Sequence, residues 1–305
     1  MTSYNRREFI NTFGKYGLAG LGVSTLLPAC IAYQEVVNTL ESRGLITAGV
    51  SNGLTTLGQS YEDITPEQEY YIGRSISAVV LNTYRPYENE KANHYINVLG
   101  HTLSQASDKP ETFNGYHFLI QDSDDINAFA APGGFIFLTR GMVRCCNHED
   151  AVAAVLSHEI GHIQHTHGLK AIKQSRLTSA LTMLGTEAGK KYGDEDLKQL
   201  ATDFEDSIQD ISNTLITSGY SRSTEREADK AAVTILDRVG YNPNGLVEML
   251  RTMEKKLKPG GLDFARTHPS PANRIQDIQN VIGNTGDVEK PAGRQDRFTA
   301  ALGNV

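Results

Sequence analysis

The first stretch with a sustained hydrophobic pattern places Ile72, Ile76, Val79 and Val80 at helical spacing after Thr65-Pro66-Glu67-Gln68. Thr65 can cap a helix whose first position is proline, so the folded part is expected to begin there. A second helix is expected over residues 90–105, with Tyr95, Val98, Leu99 and Leu103 turned inward. From Tyr116 the period falls to that of a strand, over residues 116–120 and again over 135–139. Between them Pro132-Gly133-Gly134 forms a turn, and the proline confines its strand to an edge or a strand end. Beyond residue 147 the pattern is helical. Asn147 is expected to cap a helix, with Asp150 reaching back, and Ala151, Val152, Val155, Leu156, Ile160 and Ile163 form its apolar face. Residues 171–218 read as helix interrupted by Gly185, Gly189 and Gly193, either a plug over a cleft or scaffold. Further helices are expected from near Thr224 to Gly240, over 244–257 and over 271–281. The fold class is therefore α+β and mainly helical, with one small sheet that has an accessible edge.

Charge and composition narrow the partners. The 305 residues carry 29 lysines and arginines against 36 acids, a formal charge of −7, which argues against nucleic acid as a partner. Three cysteines are too few for a disulfide scaffold. Arg6-Arg7 precede a glycine-rich apolar run over 13–27, which reads as an export signal of the twin-arginine type or as an amphipathic helix. Leu27-Pro28-Ala29-Cys30 is similar to a lipobox, with Cys30 as the acylated residue. Residues 1–29 are thus expected to be a signal, 30–60 a tether, 61–283 the domain and 284–305 a polar tail. The expected location is exported and periplasmic, held to the membrane by a lipid alone. Cys145 and Cys146 are expected to be buried or partly exposed thiols, because adjacent cysteines strain disulfide geometry.

The chemistry sits in two helices. His158-Glu159-Ile160-Gly161-His162 places two imidazoles one turn apart on the same face, where both can bind one metal. Glu159 lies where it can reach a water on that metal without ligating it. A zinc enzyme then needs a third ligand and an open position. Glu225-Arg226-Glu227-Ala228-Asp229 supplies two acids on one face, Glu225 to bind the metal and Asp229 to fix a histidine tautomer. Glu227 reads as a surface charge, and His165 and His167 as favourable charge at a helix C-terminus.

These two motifs together resemble the gluzincin metallopeptidases of the HtpX and CAAX-prenyl-protease family, in its soluble periplasmic BepA- and LoiP-like branch. Asn127-Ala128-Phe129, Gly133-Gly134, Gly141, Ser221-Arg222 and Thr267-His268-Pro269 with Arg274 also fit, and the resemblance covers about residues 62–282. It implies a zincin-type domain whose sheet edge faces the active-site cleft. It implies one zinc per chain on His158, His162 and Glu225, with Glu159 as general base and Asp229 orienting His158. It also places His268 and Arg274 at the active site as catalytic residues, either of which could help zinc stabilise the oxyanion, and Asn127 and Ala128 on the strand that pairs with substrate. The implied function is a zinc endopeptidase acting on extended or misfolded envelope proteins. The alternative is an envelope assembly factor or chaperone whose zinc site His268 largely closes.

Overall fold

The structure, a computed structural model, describes residues 64–171, 208, 212, 215, 219–256, 271–283 and 291–305. The export segment, Cys30, the tether, most of 171–218 and His268 lie outside the described residues. The chain divides into two compact units, residues 1–72 with 169–211, and residues 73–168 with 212–305. In the first, Thr65 caps helix α1 (Pro66–Thr83) as its sequence predicts. Gln68 donates its N–H to Thr65 Oγ1 at 3.2 Å, and Thr65 donates its own to Gln68 Oε1 at 2.9 Å.

The second unit, which takes in residues 73–83 of α1, holds the sheet and most of the remaining helices. Helix α2 (Glu90–Gln105) starts at Asn89, whose side chain accepts from the Ala92 N–H. Its inward stripe is Ala92, Ile96, Leu99 and Leu103, and Val98 is 54% exposed, contrary to expectation. Val98 lies about 100° around the helix from Leu99, outside the stripe that Ile96 completes. Strands β1 (His117–Gln121), β2 (Ala128–Ala131) and β3 (Phe135–Thr139) form one sheet in the order β1-β3-β2. β3 is central, parallel to β1 and antiparallel to β2, and all five of its residues are buried. The Pro132–Gly134 turn links β2 to β3, with Gly133 at a φ of 76°, and β2 lies at the sheet edge, but its four residues are buried, contrary to the accessible edge expected.

Short helix α3 (Arg140–Val143) leads to the central helix α4 (Glu149–Gln164). Its cap is His148 rather than Asn147: His148 Nδ1 accepts from the Ala151 N–H at 3.3 Å. Asp150 does not reach back, because its carboxylate accepts from Arg294 at 3.0 Å and from the Asn242 N–H at 3.3 Å. Every α4 residue from Glu149 to Ile163 is buried. Helix α5 (His167–Lys170) follows a sharp turn, and then come α6 (Arg222–Val239), α7 (Asn244–Lys256), α8 (Pro271–Ile282) and α9 (Ala292–Leu302). Among the described elements, α4 and α6 make the most extensive contact. Gly161 permits it: a Cβ there would lie 2.9 Å from the Ala228 carbonyl oxygen. No described helix is long and apolar enough to cross a membrane.

Candidate metal centre

The close α4–α6 crossing brings the two motifs together. His158 and His162 leave the same face of α4, and their Nε2 atoms lie 3.1 Å apart. Ser221 caps α6, accepting from the Thr224 N–H, so Glu225 projects from the first turn. Its carboxylate lies 3.5 Å from His158 Nε2 and 3.4 Å from His162 Nε2. One donor atom from each of the three residues falls within 4.8 Å of the others, and all three side chains are buried. Two imidazole nitrogens and a carboxylate, converging out of water, are the donor set of a zinc site that keeps an open fourth position. The residues present fit the metal.

Behind these donors lies a charged layer. His158 Nδ1 is 2.9 Å from Asp229 Oδ1, which places the carboxylate where it accepts the N–H of an Nε2-ligating imidazole. Arg274, from α8, grips Asp229 in fork fashion, with Nη2 2.6 Å from Oδ1 and Nε 3.1 Å from Oδ2. Burial and Arg274 act to lower His158, yet hydrogen bonds to Asp229 and Glu225 outweigh them and raise it to about 9. Burial also acts to raise Asp229, but Arg274 and His158 hold it below the usual carboxylate range. Glu159 is pushed up to about 7 by burial, against the opposing pull of His158. Its Oε1 has no hydrogen-bond partner among the described residues. A polar cavity of about 180 Å³, lined by Arg222, Arg226, Asn273 and Asp277, adjoins Glu225 and Arg274.

The structure therefore brings His158, Glu159, His162, Glu225, Asp229 and Arg274 together. Asn127 and Ala128 stand at the start of the sheet edge, where Asn127 Oδ1 accepts from the Ala128 N–H. Cys145 and Cys146 are free and buried, and burial pushes Cys145 up to about 11 and Cys146 well above its ordinary value. Sequence reasoning missed two contributors. His167 Nδ1 lies 3.0 Å from His162 Nδ1, and His167 Nε2 lies 3.0 Å from Glu227 Oε2. Tyr220 also stacks on the His162 ring, with centroids 4.4 Å apart and planes 20° from parallel. The positions of His167 and Tyr220 just beyond the two motifs were the available signal.

A mainly helical domain with a two-histidine helix crossed by one that carries Glu225 and Asp229 defines a metallopeptidase of the zincin type. The chain belongs to peptidase family M48, whose model matches residues 90–282. Among curated proteins it is similar to the beta-barrel assembly-enhancing protease of Yersinia pestis, at 26% identity over 85% of this chain and 52% of that protein. It is similar to metalloprotease LoiP of Escherichia coli, at 23% identity over 88% of this chain and 97% of LoiP. A further relative is the mitochondrial metalloendopeptidase OMA1 of Schizosaccharomyces pombe, at 30% identity over 51% of this chain and 43% of that protein. The chain thus spans about half the length of the Yersinia relative, less than half of the Schizosaccharomyces one and nearly all of LoiP.

Proposed function

We propose that this protein is a zinc endopeptidase that hydrolyses extended or misfolded polypeptides of the bacterial envelope, with Glu159 as general base. The observation that carries the reading is the convergence of His158, His162 and Glu225 beside the buried Glu159 carboxyl group. Zinc held by those three residues would polarise the scissile carbonyl and make water acidic enough to deprotonate near neutrality. Glu159, buried beside the three donors, takes a proton from the attacking water and delivers it to the leaving amine. Asp229 and Arg274 hold His158 in one tautomer and one orientation.

The outer edge of β2 is the place proposed for substrate; its four residues are at most 2% exposed, so a substrate strand must displace what covers them. Asn127 accepts from the Thr139 N–H, so in the antiparallel ladder Ala128 and Ala130 turn their backbone groups away from β3. That outer edge has no partner strand among the described residues. A substrate added there would be recognised largely through its main chain, which suits a protease of unfolded sequences. The envelope location rests on the twin-arginine and Cys30 signals and on relatives named for β-barrel assembly. Glu159→Gln in the full chain is expected to abolish cleavage of an unfolded protein substrate while one zinc stays bound. Cleavage at more than a tenth of the wild-type rate would overturn the mechanism.

A further inference from the structure

The two metal-binding histidines are supported differently, and the support of His162 involves residues with no assigned part in the chemistry. We propose that His167 and Glu227 form a hydrogen-bonded relay that fixes the tautomer and orientation of His162, matching what Asp229 does for His158. The inference rests on the zinc reading above and extends it to two further positioning residues.

The proton bookkeeping allows one direction. In the zinc reading His162 Nε2, 3.4 Å from Glu225 Oε1 and 3.1 Å from His158 Nε2, turns its lone pair to the metal. A neutral His162 then holds its proton on Nδ1 and donates it to His167 Nδ1, 3.0 Å away. His167 in turn holds its proton on Nε2 and donates to Glu227 Oε2 at 3.0 Å. Each metal imidazole thereby ends on a carboxylate, one directly and one through a second imidazole.

The backbone is bent to make this contact. On an uninterrupted helix a residue five positions on lies about 140° around the axis, and His167 would point away from His162. Instead α4 ends at Gln164, and Thr166 adopts a φ of 55°, the one left-handed non-glycine residue among those described. Such a conformation persists where surrounding contacts demand it, and here it turns His167 back under His162. His167 is 2% exposed, and the His165 ring stacks on it with centroids 5.4 Å apart. Glu227 is partly open to solvent, with its side chain 54% exposed. A surface carboxylate therefore reaches a buried metal ligand through one intervening ring.

The test is zinc affinity, measured on the full chain by competition with a coloured chelator, with the melting temperature of the zinc-free protein recorded alongside. His167→Phe keeps a planar aromatic ring and removes the acceptor, and is expected to weaken zinc binding about 10–100-fold. Glu227→Ala, at a half-exposed position that the fold tolerates, is expected to weaken it several-fold with no change in zinc-free melting. Glu227→Gln keeps an acceptor and should recover part of that loss. Zinc affinities within twofold of wild type in both His167→Phe and Glu227→Ala would overturn the relay. So would a loss in His167→Phe with none in Glu227→Ala, which would leave His167 a packing role alone. Should His167→Phe fail to fold, Glu227→Ala decides. Wild-type protein that binds no zinc would overturn the metal reading, and the relay with it.

Discussion

At the scale of single residues, Asp229 joins stability to metal binding. It is the carboxylate that keeps the buried Arg274 guanidinium compensated, and the same oxygen lies against His158. Asp229→Ala would take the nearest carboxylate from buried Arg274, leaving Glu225 Oε2 at 3.6 Å, and breaking a buried pair in this way costs about 3–5 kcal/mol. Urea unfolding should show that loss, and chelator competition should show zinc binding weakened about 10–100-fold. A variant that keeps both properties would contradict the arrangement. Much of this layer is legible in sequence, because His158 with His162, and Glu225 with Asp229, are each one helical turn apart. Glu227 and His167 are not legible in that way. Their contact spans sixty positions and depends on the left-handed turn at Thr166, which no local periodicity encodes.

At the scale of elements, α9 forms where the sequence shows only a polar, charged stretch. No apolar stripe announces this helix; only Phe298 and Leu302 are buried along it. It is held through α4 instead. Arg297 pairs with Glu149 through both Nε and Nη2, and the hydroxyls of Tyr95 and Tyr241 donate to the same buried carboxylate. Arg294 donates to Asp150 at 3.0 Å and lies over the Tyr241 ring at 4.1 Å. These contacts grip the first turn of the helix that carries the metal histidines, and the α9 residues that make them, Arg294 and Arg297, lie beyond residues 90–282 that match the family. Arg297→Ala leaves Glu149 buried with fewer donors, and is expected to cost about 1–3 kcal/mol in a denaturant titration. A midpoint unchanged from wild type would show that α9 does not brace α4. The sheet was easier to foresee, because alternation and the Pro-Gly-Gly turn are local signals. The α4 cap was not, since Asp150 is drawn away by Arg294, a partner 144 residues distant.

At the scale of the whole molecule, His158, Glu159, His162, Glu225, Asp229 and Arg274 of this M48 metallopeptidase all lie within one unit, residues 73–168 with 212–305. His268 belongs to that stretch of chain and distinguishes two modes of action. If it closes the zinc site as a fourth ligand, His268→Ala should raise proteolysis severalfold. If it donates a hydrogen bond to the substrate carbonyl, the same change should lower kcat about 10²–10³-fold. Steady-state cleavage of one unfolded substrate separates the two outcomes, and an unchanged rate would deny His268 either part. The most direct measurement of the central claim is an anomalous-scattering map at the zinc edge from crystals of the full chain. The account predicts one peak, about 2.0–2.2 Å from His158 Nε2, His162 Nε2 and a Glu225 carboxylate oxygen. A peak held by other residues, or no peak in zinc-supplemented crystals, would contradict it.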